Sequence, residues 1–193
     1  MKNYVISDKE LVKQYLQGNE ACLEMLIKRH KNKIFTTILY IVNDHYIAED
    51  ILQETLIKAI RTLRKGKYNE EGKFLPWIVR IARNMAIDHF RRSKRMPKIT
   101  SQDGEDIFRT FEVDDMNREE TYVRDHRDDM IRELINQLPT EQKEVLVLRH
   151  YGNLSFKEIA AITDVSINTA LGRMRYALNN MRKIIEEKSI SLQ

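Results

Sequence analysis

The sequence predicts an all-α protein: two small helical domains joined by an acidic linker, the second domain a helix-turn-helix. Three observations point to this. Apolar residues recur at three- and four-residue spacing along most of the chain, and no stretch of period-two alternation competes with them. Only 6 Gly and 3 Pro occur in 193 residues, which favours long helices over turn-rich sheets. Charge is segregated. Residues 1–95 hold 19 basic and 11 acidic residues (net +8), residues 96–129 hold 5 and 11 (net −6), and residues 130–193 hold 9 and 7 (net +2). The expected divisions are a first domain over 1–96, a linker over 97–128 and a second domain over 129–193. The middle stretch contains "SQDGEDIFRTFEVDDMNREE", polar and acidic with weak periodicity, and reads as a linker. An acidic loop packed within a single domain fits the same composition.

The helix boundaries follow ordinary punctuation. Ser7 with Glu10 is a capping-box pattern ahead of "LVKQYL", and Gly18-Asn19 ends that helix. A long helix runs from about Glu20 to Val42, "NDHY" breaks it, and the next runs from about Tyr46 to Arg64. Gly66 and Gly72 bracket a loop. Pro76 suits the first turn of a helix over Leu75–Arg95, and Pro97 lies just past its end. Beyond the linker a helix reaches Leu138 and stops at Pro139. "TEQKEVLVLRHY" follows, closed by Gly152-Asn153. Ser155 with Glu158 is a second capping box, and Ser166 caps a last helix to about Glu187.

Several function classes are excluded. Cys22 is the single cysteine, so no internal disulfide forms, which fits a reducing cytoplasm. The longest apolar run, around "IFTTILYIV", is far short of the roughly 20 residues a membrane span needs, and the N-terminus has no apolar signal region. The five histidines, His30, His45, His89, His126 and His150, show no metal-ligand spacing. With no Gly-rich phosphate loop and no carboxylate set near a His pair, neither catalysis nor a cofactor is expected.

Three surfaces stand out. In "YIAEDILQETLIKAIRTL", Ile47, Ile51, Leu52, Thr55, Leu56, Ala59 and Leu63 form an inward face. Asp50, Gln53, Glu54 and Ile57 lie outward at i, i+3, i+4 and i+7. Carboxylates there repel DNA, so this patch suits a protein partner; a plain solvated face has the same pattern. In "LPWIVRIARNMAIDHFRRSKR", Ile78, Ile81, Ala82 and Met85 are expected in the core, with Arg80, Asn84 and Arg91 on a separate stripe and Trp77 at its border. A ring that stacks beside amide and guanidinium groups that hydrogen-bond suits unpaired bases. A core tryptophan beside solvated arginines is the competing reading. Finally, "LSFKEIAAITDVSINTALGRMRYAL" has helix-turn-helix spacing: small Ala160 at the crossing, Asp164 in a left-handed turn, Val165 as core plug and Ser166 as cap. In its second helix Ile167, Ala170, Leu171, Met174, Leu178 and Met181 are expected inward. Asn168, Thr169, Gly172, Arg173, Tyr176 and Asn179 are expected outward, with Arg175 on the flank, a set that suits base edges and phosphates of the major groove.

Together "AEDILQETLIKAI", "FLPWIVRIARNMAIDHFRRSKR" and "LPTEQKEVLVLRHYGNLSFKEIAAITDVSINTALGRMRYAL" resemble the extracytoplasmic-function sigma factors of bacterial RNA polymerase, in order and over nearly the whole chain. The resemblance implies a first domain that docks on the clamp helices of the polymerase largest subunit and melts the −10 promoter element. It implies a second, winged-helix-like domain that reads the −35 duplex and touches the flap of the second-largest subunit. Asp50, Gln53, Glu54 and Ile57 would then face the clamp. Trp77, Arg80, Ile81, Ala82 and Asn84 would surround the −10 bases, with Arg91, Arg92 and Arg95 on phosphates. Ser155, Ser166, Asn168, Thr169, Gly172, Arg173, Arg175 and Tyr176 would serve −35 recognition. Promoter DNA and an anti-sigma factor are the further partners implied, in the cytoplasm and without membrane insertion. Leu171, Gly172 and Tyr176 depart from the polar residues many members carry there, so a −35 preference does not transfer. The alternative function is a helix-turn-helix regulator that is not a polymerase subunit; it calls for a sensory or phosphorylation domain, and no βαβ pattern is present to supply one.

Overall fold

The computed structural model describes residues 6–69, 71–95 and 130–188, with the side chains of 93–95 left outside that description. The acidic stretch and Pro97 therefore lie outside the described residues. Those described form helices connected by turns. The helices are α1 Asp8–Leu16, α2 Glu20–Val42, α3 His45–Arg64, α4 Phe74–Arg95, α5 over residues 130–136, α6 Thr140–His150, α7 Phe156–Thr163 and α8 Ile167–Glu187. They fall into two compact units, α1–α4 and α5–α8.

In the first unit α2 packs against α1, α3 and α4, and α3 against α4. The α2 face is carried by Leu26, Ile34 and Ile38, none with any exposed surface. Truncating any one of them to Ala would cost roughly 2–5 kcal/mol in lost transfer and cavity terms. The chain turns between α2 and α3 through Asn43 in the left-handed region (φ 55°), after which Asp44 Oδ1 accepts from the Ile47 amide at 2.9 Å. That cap starts α3 at His45, one residue earlier than its apolar periodicity indicates. Ser7 caps α1 by accepting from the Glu10 amide at 3.3 Å, half of the capping box the sequence suggests; Glu10 Oε1 accepts instead from Gln14 Nε2 at 2.9 Å. Gly18, at φ 103°, makes the turn to α2 with a backbone few other residues adopt.

Asp8, at the start of α1, fastens that helix to α2. Its Oδ1 accepts from Arg29 Nη1 at 2.6 Å and its Oδ2 lies 2.7 Å from His30 Nε2. His30 is buried, its ring lies 5.8 Å from that of Phe74, and its Nδ1 has no hydrogen-bond partner. Burial pushes the His30 pKa below its ordinary value, against the opposing pull of Asp8. The imidazole is accordingly neutral, with Nε2–H donating to the carboxylate.

In the second unit α6 and α7 pack against α8 and against each other. Val145 to Leu148 of α6 are all buried, with Leu134 and Ile135 of α5. Asn180 Nδ2 of α8 donates to Gln142 Oε1 of α6 at 2.8 Å, a polar tie at the edge of this core.

Candidate nucleic-acid and protein interfaces

On α3, Ala48, Ile51, Leu52, Thr55, Ala59 and Leu63 are buried, which turns Asp50, Gln53, Glu54 and Ile57 outward. All four are exposed or nearly so, Ile57 at 48%. Asp50, Gln53 and Glu54 make no side-chain hydrogen bond or ion pair among the described residues. The patch runs into an open groove that sequence reasoning missed, lined in part by Lys58, Arg61, Lys65 and the α4 residue Met85. The basic run "KAIRTLRKGK" was its signal. Thr55 Oγ1 lies 3.6 Å from Met85 Sδ and joins the two helices beneath it.

On α4 the core line is Ile78, Val79, Ala82 and Ala86. Ile81 and Met85, expected inside, are only half-buried, because the axis of burial is rotated toward the small residues. Arg80, Asn84, Arg91 and Arg92 are exposed as expected, and the Arg95 side chain lies outside the described residues. Ala82 has no exposed surface, as its place on the apolar face led one to expect; the correction is to the resemblance, which set it beside the −10 bases that a buried methyl group does not reach. Trp77 is half-buried. Its ring centroid lies 4.4 Å from that of Tyr68 and 5.7 Å from that of Phe74. Core packing and an available edge thus coexist in one residue, and Tyr68 joins the cluster although no helical periodicity marks it in the sequence. Arg83 Nη1 donates to Asn84 Oδ1 at 3.4 Å and partly orients that amide.

The caps and the turn of the helix-turn-helix form as the sequence indicates, while Val165, expected as the core plug, is only half-buried. The Ser155 amide donates to Glu158 Oε2 at 2.8 Å and the Glu158 amide to Ser155 Oγ at 3.3 Å, a complete capping box. Asp164 takes the left-handed turn at φ 56°, ψ 49°, and its amide and that of Val165 both return to the Ala160 carbonyl. Ser166 Oγ accepts from the Thr169 amide at 3.0 Å and lies 2.8 Å from Thr169 Oγ1. The hydroxyls of Ser155, Ser166 and Thr169 are therefore engaged in capping. Asn168, Arg175 and Tyr176 are exposed, Tyr176 at 63%, while Arg173 is half-buried. Gly172 faces open space: a methyl group in place of its hydrogen would meet nothing within 4 Å. A second correction concerns the α8 core. Only Ala170 and Ala177 are buried, and Ile167, Leu171 and Leu178, expected inward, are exposed.

Residues 26–96 match the family model for sigma-70 region 2, and residues 128–178 match that for sigma-70 region 4. The chain is 30% identical to the RNA polymerase sigma factor SigV of Bacillus subtilis over 175 residues, covering 91% of this chain and 98% of that protein. The chain belongs to the extracytoplasmic-function family of sigma-70 RNA polymerase sigma factors. The RNA polymerase sigma-H factor of Pseudomonas aeruginosa is a further relative of this sigma factor, 29% identical over 93% of this chain and 94% of its own. The fold is shared with the sigma factor RpoE of Bartonella quintana, solved with the anti-sigma factor NepR. The TM-score is 0.62 at 18% identity, over 85% of this chain and 96% of that one. The region 2 match spans the α3 patch and the α4 edge, and the region 4 match spans the helix-turn-helix. No described helix of this sigma factor is long and apolar enough to cross a membrane. No group of metal-binding side chains occurs among the described residues.

Proposed function

We infer that this sigma factor binds core RNA polymerase through Asp50, Gln53, Glu54 and Ile57, and directs it to promoters whose −10 and −35 elements its two domains recognise. One observation carries the polymerase contact: an exposed acid-amide patch with no cation partner among the described residues, in a chain with 33 Lys and Arg. Such a patch costs little when solvated and gains direct partners only on a complementary basic surface, the chemistry expected of the clamp helices. Domain 1–96 melts and holds the −10 strand along Trp77, Arg80, Ile81 and Asn84, with Arg91, Arg92 and Arg95 on the backbone. The stretch 97–128 tethers it to domain 129–193, whose α8 enters the −35 major groove with Asn168, Thr169, Gly172, Arg173, Arg175 and Tyr176. Ser155 and Ser166 serve that contact by fixing the two helix starts, and the second domain also meets the flap of the second-largest subunit.

The protein acts by binding, with no reaction of its own, in the cytoplasm where its polymerase works. An anti-sigma factor holds it inactive, a reading supported by the pairing of RpoE with NepR in the related structure.

The test is assembly and transcription. Asp50→Lys with Glu54→Lys places like charges against the clamp at a cost of several kcal/mol, on the order of a hundred-fold or more in affinity. The double variant is expected to keep its helical circular dichroism yet fail to retain core polymerase in a pull-down, and to give no run-off transcript from a selected promoter library. Undiminished retention of polymerase would refute the α3 contact.

A further inference from the structure

The groove beside the α3 patch has two chemically different ends. It holds about 610 Å³, within the range of roughly 300–1,000 Å³ typical of small-molecule sites. Glu54, Lys58, Arg61 and Lys65 of α3 line it. At 100° per residue they lie within about 60° of one another on the helix surface. At 1.5 Å per residue they span about 16 Å along the axis, with Glu54 at one end and Lys65 at the other. Lys67, just past the helix, extends the basic end. Lys58, Arg61, Lys65 and Lys67 are exposed, and none meets a carboxylate among the described residues. The Glu54 end is apolar beside its carboxylate. Ile57 is 48% exposed there, and the half-buried Met85 is held near Thr55 by the 3.6 Å contact between Oγ1 and Sδ.

A nucleic-acid strand fits this arrangement badly. Its backbone is charged along its whole length, and a strand laid on the basic end and continued along α3 runs past Glu54 and Asp50, which repel it. The groove suits a ligand that is anionic at one end only, and flat with hydrogen-bond donors at the other. We propose that it binds a nucleoside polyphosphate, with the phosphates on Lys58, Arg61, Lys65 and Lys67 and the base over Ile57 and Met85, its ring-edge N–H groups donating to Glu54. A thioether is a favourable neighbour for an aromatic ring. Guanine suits the carboxylate best, because its pairing edge offers two adjacent N–H donors to the two oxygens, where adenine offers one group. Glu54 and Ile57 also belong to the patch assigned above to core polymerase. Resting on that reading, nucleotide and polymerase exclude one another, each weakening the other's binding by the same factor.

The test is titration calorimetry of GTP against the full chain. Saturable binding is expected, with inorganic tripolyphosphate about five-fold weaker for want of a base to meet Glu54. Lys58→Gln with Arg61→Gln should keep the helical circular dichroism and weaken GTP about ten-fold or more. Glu54→Ala should bring GTP and tripolyphosphate to equal affinity. Equal affinity for the two in the parent chain, or GTP binding unmoved by the Lys58 and Arg61 change, overturns the proposal. A single-stranded oligonucleotide that binds through Lys58 and Arg61 where GTP does not overturns it as well, and assigns the groove to nucleic acid. A pull-down reads the competition. GTP is expected to lower retention of the parent on core polymerase and to spare the Lys58→Gln, Arg61→Gln variant, which controls for nucleotide held by the polymerase itself. GTP that binds the groove without moving retention upholds the site and counts against the α3 contact with polymerase. Absence of GTP binding in a chain that still retains polymerase overturns the site and leaves that contact standing.

Discussion

At Trp77 two demands meet in one side chain. Its ring is packed on Tyr68 and Phe74, yet the residue is only half-buried, and Arg80 and Asn84 are exposed on the same helix. Stacking on a base is worth roughly 1–3 kcal/mol. Trp77→Ala is therefore expected to leave binding to closed duplex promoter intact while lowering permanganate reactivity of the −10 thymines by about 5- to 100-fold. Trp77→Phe should recover part of the opening, and loss of closed and open complexes together would make Trp77 a core residue only. His30 allows a prediction in pH. Because burial holds its folded pKa below the ordinary value near 6.5, the unfolded chain takes up the proton first as pH falls. The stability of the first unit should be level above pH ~6.5 and decline below it, by at most about 1.4 kcal/mol per pH unit for one proton. Urea midpoints at several pH values from neutral to mildly acidic check this, and His30→Gln should remove that part of the slope.

At the scale of helices, the caps and turns were legible in the sequence, because a capping side chain or a left-handed residue acts locally. Ser7, Ser155, Asp164 and Ser166 cap or turn as their neighbours in sequence imply, whereas the Asp44 cap went unread and α3 starts one residue early. Which side of a helix is buried was legible on α3 and only partly on α4 and α8. Periodicity finds the centre of the large apolar residues. Close helix packing instead centres on small ones, Ala82 and Ala86 on α4 and Ala170 and Ala177 on α8, since these let two backbones approach. Ile167, Leu171 and Leu178 were thus displaced from core to surface, and of the groove beside Ile57 only the basic run "KAIRTLRKGK" showed in the sequence, because its shape needs α3 and α4 side by side. Asp164 gives the element-scale prediction. A non-glycine residue in the left-handed region carries a conformational cost of roughly 1 kcal/mol, lessened for Asp. Asp164→Gly relieves it but adds backbone entropy to the unfolded chain. The net expectation is a gain of a few tenths of a kcal/mol, seen as a small rise in the melting temperature of the second unit. Asp164→Val, which cannot enter that region cheaply, should lower it by several degrees.

Over the whole molecule, a modest net charge of +4 conceals a strongly basic first segment, an acidic middle and a nearly balanced end. The basic excess belongs to the segment that carries the α4 edge, where electrostatic attraction to single-stranded DNA is expected to act. Sequence preference and phosphate affinity should then separate by residue. Each phosphate contact on a single strand contributes about 0.7 to the slope of log K against log salt. Arg91→Gln with Arg92→Gln should lower that slope by about 1.4 and weaken binding to all −10-length oligonucleotides alike. Asn84→Ala should leave the slope in place and flatten discrimination among bases, because an amide reads edges and neutralises no charge. Fluorescence anisotropy of labelled single strands across a potassium chloride series distinguishes the two. A slope unmoved by the double arginine change would assign both guanidinium groups to solvent and point to other cations for the phosphate contacts, such as Lys58, Arg61 and Lys65.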